Sequence, residues 1–130
     1  MSVKQVIVMR KDLNMRRGKQ IAQGAHASMK VFFDRGQVMV DGSEYYLDCP
    51  LNKDMVEWVE GKFTKICVSV DSEHELFEIY NNAKKADIPC AMITDIGKTE
   101  FNSVPTNTCV ALGPDSSEKI NKITGHLKLL

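Results

Sequence analysis

The chain is 130 residues long, the size of one domain, with room for a hydrophobic core that needs no covalent staples. Its 43% hydrophobic and 26% charged content is that of an ordinary globular protein, and no apolar run is long enough to span a membrane. Formal net charge is zero but unevenly spread: residues 1–35 hold eight Lys/Arg against two Asp/Glu, residues 36–80 three against ten, and residues 81–130 six against five.

Val3 to Met9 is a short β-branched apolar run that predicts a buried strand. It is too short for a signal-peptide core and runs into Arg10 and Lys11 with no small-residue cleavage site, so a cytoplasmic protein is expected. Arg10 to Arg17 reads as a polar loop with Asp12 and Asn14 as turn formers. Gly18 to about Phe33 follows as a helix. With Lys19 at 0°, Gln23 falls at about 40° and His26 at about 340°, whereas Ile21, Ala22, Ala25, Met29 and Phe32 fall at about 200–300°. The second group is expected to pack on the core while the first presents an amine, an amide and an imidazole. Basic side chains beside the unpaired N–H groups of a helix start suit an anionic ligand, and a solvated amphipathic helix is the plain alternative.

Residues 34–52 are the least regular part, an insertion or flap punctuated by Gly36, Asp41-Gly42 and Pro50, in which Val38–Val40 or Tyr45–Leu47 could pair as strands. Asp54 to Glu60 predicts a short helix with Met55, Val59 and Trp58 turned inward, closed by Gly61. Phe63 to Val70 alternates as a strand, and Ser72-Glu73-His74-Glu75 is a capping-box pattern. The helix it opens repeats Leu76, Ile79, Tyr80 and Ala83 at core spacing. Cys90 to Thr94 is a strand ending at Asp95. A long connection follows, then Cys109 to Leu112 as the last strand, closed by Gly113-Pro114. Asp115 with Glu118 opens a final helix through Ile120 and Ile123, which Gly125 ends.

Alternating strands and helices predict a single α/β domain over residues 1–130, a mixed, mostly four-stranded sheet with helices on both faces. The segment between residues 95 and 108 is too short for a crossover helix, so the strands flanking it are antiparallel or not adjacent. The four cysteines lie 18, 23 and 19 residues apart, with no C-x-x-C and no His at zinc-ligand spacing. Cys67, Cys90 and Cys109 sit in apolar runs and are expected in the core.

No familiar catalytic signature occurs: no G-x-S-x-G, H-E-x-x-H, Walker loop or G-x-G-x-x-G. His74 and His126 lie at helix ends, where imidazoles usually cap or face solvent. Asp95 is better placed, because ligands of open α/β sheets collect past the C-terminal ends of strands. An Asx-turn is its plain alternative.

Three segments in order carry a family resemblance. Met15 to Ala27 (MRRGKQIAQGAHA) is similar to the Gly-Lys-x-x-Ala-Gln-x-x-His-Ala segment of the type-2 peptidyl-tRNA hydrolases. Asp95 to Thr99 is similar to their Asp-x-Gly-x-Thr, with Thr106 and Thr108 following, and Gly125 to Leu130 (GHLKLL) is similar to their ending. The chain departs from the pattern at Gly24, where Cys is usual, in the long 34–52 stretch, and in one extra residue between Thr99 and the last strand.

The resemblance implies hydrolysis of the ester between a peptide and the 3′ ribose of tRNA, without metal or other cofactor. It implies Lys19, Asp95 and Thr99 as catalytic residues and Gln23, His26, Thr106 and Thr108 as substrate-binding or supporting ones. Arg10, Lys11, Arg16, Arg17 and Lys98 are expected to hold tRNA phosphates without reading sequence. An ordinary carboxylate is a weak base at neutral pH and a neighbouring ammonium weakens it further. Asp95 is therefore expected to orient the water more than to deprotonate it, with His26 the alternative base and Lys19 stabilising the oxyanion or a phosphate. Partners implied are peptidyl-tRNA, no membrane, and a homodimer as the family often forms. Two further readings remain: a hydrolase of mischarged aminoacyl-tRNA, and a non-catalytic RNA-binding or interaction module on the same scaffold.

Overall fold

A computed structural model describes residues 2–96, 101 and 103–130. In chain order the elements are β1 (Val3–Arg10), α1 (Arg17–Phe33), β2 (Gln37–Asp41), β3 (Glu44–Asp48), α2 (Lys53–Glu60), β4 (Lys65–Val70), α3 (Glu73–Lys85), β5 (Cys90–Asp95), β6 (Thr106–Ser116) and α4 (Ser117–Thr124). The main sheet has the order β4-β1-β6-β5. β4 runs parallel to β1, and β6 is antiparallel to both β1 and β5. The sheet is mixed and the pair flanking the 95–108 connection is antiparallel, as expected.

β1 is buried on both faces, and its alternation divides the core in two. Val6 and Val8 join Val68, Val70, Val110 and Leu112 under α3 and α4, with Leu76, Ile79 and Ile120 closing that layer. Ile7 and Met9 join Ala91, Ile93, Cys109 and Ala111 under α1 and α2, with Ala27, Val31 and Met55. Each fully buried aliphatic side chain contributes roughly 1.5–3 kcal/mol, so two contiguous layers hold the domain without cross-links. All four cysteines are free thiols.

A polar bolt fixes α1 to the sheet. Gln5, fully buried where β1 bulges, donates from Nε2 to Gly113 O (3.0 Å) and Ser28 O (3.3 Å), and its Oε1 accepts from Ser28 Oγ (2.5 Å). Gly113 is required there: its φ is +91°, and a Cβ would lie 2.6 Å from Lys4 O.

Several elements differ from expectation. The buried side of α1 is Gln23, Gly24, Ala27 and Val31, while Ile21 and Met29 of the expected core face are 68% and 52% exposed. The cause lies in the sheet beneath. α1 lies over β6 and β5, where Cys109, Ala111 and Ala91 are small, and short side chains on both partners permit close approach. The apolar flank of α1 instead overlooks the uncovered side of edge strand β4. There, with Phe63, Cys67 and Leu130, it lines a groove of about 690 Å³. Cys67 is therefore exposed and only Cys109 of the four is fully buried.

In α2, Trp58 points inward and donates to Thr64 O (2.8 Å), whereas Val59 is half exposed. β4 begins at Lys65 because Phe63 adopts φ +59° and breaks the extended run. β6 continues through Gly113 and Pro114 to Ser116, which caps α4 by accepting from Lys119 N. The irregular stretch holds a two-stranded hairpin, β2 paired with β3, outside the main sheet.

Candidate active site

β1 and β5 run in the same direction, so Arg10 and Asp95 end at one edge of the sheet, where α1 also begins. Three residues set the start of that helix. Asn14 adopts φ +51°, Met15 is buried as an apolar anchor, and Gln20 donates from Nε2 to Met15 O (2.8 Å). No acidic residue occupies the first turn, whereas Arg16, Arg17 and Lys19 all do or adjoin it. Cations at a helix N-terminus oppose the macrodipole and destabilise the isolated helix. Their presence suits an anionic ligand better than it suits the fold.

Lys19 and Asp95, 76 residues apart in sequence, meet in an ion pair between Nζ and Oδ2, with side chains 17% and 9% exposed. Gln23 Nε2 donates to the same Oδ2 (3.0 Å). Gln23 is held in turn by its own backbone carbonyl, which accepts from Cys109 Sγ (3.3 Å). Lys19, Gln23 and His26 line one wall of a cleft of about 330 Å³, and Ile93, Thr94, Asp95 and Ile96 line the other. The cleft thus holds a carboxylate with two donors on one oxygen, a cation, and an exposed imidazole one helical turn beyond Gln23. That set can orient a water and stabilise charge developing on an oxygen.

The remaining expected residues divide. Thr106 sits opposite Asp95 across the β5–β6 ladder and donates to Val104 O (2.8 Å). Thr108 lies beneath the cleft, fully buried, its hydroxyl directed at Ile93 O (3.5 Å). It braces the strand that carries Asp95 and does not face the cleft. Lys11, Arg16 and Arg17 are exposed around the start of α1. Thr99 and Lys98 fall outside the described residues.

Arg10 departs from its expected place at the RNA-facing rim. Its side chain is only 10% exposed and is clamped by Asp12, with Nε to Oδ1 at 3.1 Å and Nη2 to Oδ2 at 2.7 Å. Its Nη1 donates to Asn107 O (3.1 Å) and lies 3.7 Å from Glu73. A guanidinium so committed would have to break several charge-assisted bonds to reach a phosphate. Asp12 and Asn107 were therefore missed as parts of the site edge; the Arg-x-Asp spacing at a strand's end was a signal for Asp12, and Asn107 had none.

Cys109, packed behind Gln23, has its thiol pushed up to about 12 by burial, opposed in part by the Thr108 hydroxyl. It is an inert packing group and not a nucleophile. Among the described residues no three His, Cys, Asp or Glu side chains converge as a metal site requires. No helix among them is long and apolar enough to cross a membrane.

The family model for peptidyl-tRNA hydrolase PTH2 matches residues 3–130. The chain is 43% identical over 128 residues to a peptidyl-tRNA hydrolase of Methanocaldococcus jannaschii, covering 98% of this chain and all of that one. It is 38% identical over 127 residues to one from Haloquadratum walsbyi, covering 98% and 99%. To one from Thermococcus onnurineus it is 37% identical over 131 residues, covering 98% and 97%.

Proposed function

The chain belongs to the peptidyl-tRNA hydrolase PTH2 family, and on that premise we propose how its residues divide the work of the reaction. The enzyme hydrolyses the ester that joins a peptide to the 3′ ribose of tRNA and releases free tRNA. Water adds to the acyl carbonyl, a tetrahedral oxyanion forms, and the C–O bond to the ribose breaks as that oxygen takes up a proton.

Asp95 orients the attacking water through its carboxylate. Gln23, buried and donating to Asp95 Oδ2, fixes that carboxylate and does not itself serve the substrate carbonyl. Lys19 holds Asp95 at rest and offers its ammonium to the oxyanion as charge develops there. His26, exposed on the cleft wall, takes the water's proton and passes it toward the ribose oxygen. Thr99 is assigned with Asp95 to holding the water, on family pattern alone. Lys11, Arg16 and Arg17 hold tRNA phosphates at the rim, Lys98 is assigned to the same task on sequence alone, and a cytoplasmic site of action follows from the substrate.

The observation that carries this reading is the convergence of Lys19 and Gln23 on one oxygen of Asp95. Turnover of N-blocked aminoacyl-tRNA tests it, wild type beside Asp95→Ala. Acyl groups of different size on one tRNA separate a peptidyl-tRNA preference from one for mischarged aminoacyl-tRNA. Absence of hydrolysis by the wild type would leave only the binding module.

A homodimer is part of the proposal, supported by the exposed flank of α1 (Ile21, Ala25, Met29) beside Phe63. Sedimentation of wild type and Met29→Glu tests it, the variant being expected to sediment as a monomer.

A further inference from the structure

We infer that Arg10, Asn107 and Thr94 form a positioning chain that sets the carboxylate of Asp95, an inference that rests on the role proposed for Asp95 above. The β5–β6 ladder slips by one residue at this point. Ile93 pairs with Cys109 but Thr94 pairs with Asn107, which leaves Thr108 as the extra residue of a bulge. A bulge bends its strand and re-aims the side chains beside it, and such a bend needs bracing on both sides. From beneath, Thr108 Oγ1 is directed at Ile93 O. From above, Thr94 Oγ1 donates to Asn107 Oδ1 at 2.5 Å, tying the residue before Asp95 to the bulged strand.

Asn107 is in turn fixed from a third strand. Arg10, at the end of β1, donates from Nη1 to Asn107 O (3.1 Å) while Asp12 grips its other two nitrogens. The fork has a fixed geometry, so the two bonds to Asp12 fix the direction of the one bond that Arg10 gives to Asn107. Displacing a reacting group by about 1 Å can cost about a hundredfold in rate. This assignment removes Arg10 from the phosphate-binding set and gives it work behind the strand that carries Asp95.

Lysine at position 10 separates the two roles, since it keeps the charge a phosphate would use but not the fork that holds Asp12 and Asn107 together. Arg10→Lys should lower kcat by about 10- to 100-fold, with KM and the salt dependence of tRNA binding unchanged. Thr94→Val should lower kcat by about tenfold with KM unchanged, and Thr94→Ser, which keeps the hydroxyl, should restore it. The double variant Thr94→Val with Asn107→Ala should be no slower than the slower single one, because both remove the same bond.

Circular dichroism and thermal unfolding of each variant show that the folded enzyme is being assayed. The Thr94 and Asn107 variants, on exposed or half-exposed side chains, keep the inference testable if Arg10→Lys fails to fold. A raised KM with unchanged kcat in Arg10→Lys or Thr94→Val would mean direct substrate contact and overturn the inference. So would additive losses in the double variant, or kcat within twofold of wild type in both Arg10→Lys and Thr94→Val. Asp95→Asn is run alongside. If it is inactive while Arg10→Lys and Thr94→Val are normal, the positioning chain alone is refuted; if it is active, the role of Asp95 falls and the chain with it.

Discussion

The Lys19–Asp95 pair should make the enzyme less stable to half-measures than to its complete removal. Both side chains are mostly buried, at 17% and 9% exposure, so each charge has given up much of its hydration. Removing one partner of a buried pair costs about 3–5 kcal/mol, because the other charge stays desolvated. Both side chains keep some exposure, so the low end applies: about 3 kcal/mol for Lys19→Met or for Asp95→Leu alone. Removing both exchanges the pair for apolar contact against Ile93 and Ile96, and replacing such pairs is often neutral. Lys19→Met with Asp95→Leu should therefore lie within about 1 kcal/mol of wild type while hydrolysing nothing. In a domain of this size 3 kcal/mol lowers Tm by roughly 10–15 °C, well within calorimetric reach. Urea unfolding of the four proteins closes the cycle. A coupling energy below about 0.5 kcal/mol would show that the two charges do not act as a unit, and the site as described would be wrong.

Three other perturbations probe separate links. Arg16→Ala with Arg17→Ala should weaken tRNA binding and flatten the slope of log K against log salt by about 1.5–2, with the fold intact and Tm no lower than that of wild type; an unaltered slope would remove both residues from the interface. Gly24→Ala should stabilise the enzyme by about 0.5–1 kcal/mol, since glycine is a poor helix former in the interior of α1. A Cβ at that position would meet Ile7 and Met9 at an ordinary 3.8 Å, and a lowered Tm would mean that helix and sheet are closer than described. Cys109 gives a pH signature: burial raises its thiol to about 12, so the folded state favours the neutral form. The contribution is complete below the unfolded thiol's value of about 8.5 and is lost as pH rises toward 12. The stability gap between wild type and Cys109→Ala should hold up to pH 8 and then shrink by up to about 1.4 kcal/mol per pH unit, whereas a constant gap to pH 10.5 would contradict the assignment.

Strand and helix order was legible because each element carries its own period and punctuation: Val3–Met9 as a β-branched run, Ser72 with Glu75 as a cap, Gly125 as a stop. The orientation of α1 was not. Apolar periodicity marks Ile21, Ala25 and Met29 as a core face, but close packing against Ala91, Cys109 and Ala111 selects the small residues Gly24 and Ala27 instead. Gln23 is buried for a polar reason, its bond to Asp95, which no hydrophobic pattern records. Arg10 misled for a similar reason: a cation in a basic stretch looks like a phosphate ligand until the fold brings Asn107 beneath it. The meeting of Lys19 with Asp95 depends on α1 lying over β5, a property of topology and not of either segment.

The most direct test of the account is single-turnover hydrolysis of N-acetyl-aminoacyl-tRNA by Asp95→Asn, with tRNA affinity measured on the same protein. The amide keeps the size and one acceptor but loses the charge that holds Lys19 and that is proposed to orient the water. The account predicts a loss of at least about a thousandfold in rate with tRNA affinity within about threefold of wild type. Hydrolysis within tenfold of wild type would contradict it, and the water would then have to be oriented by another group in the cleft.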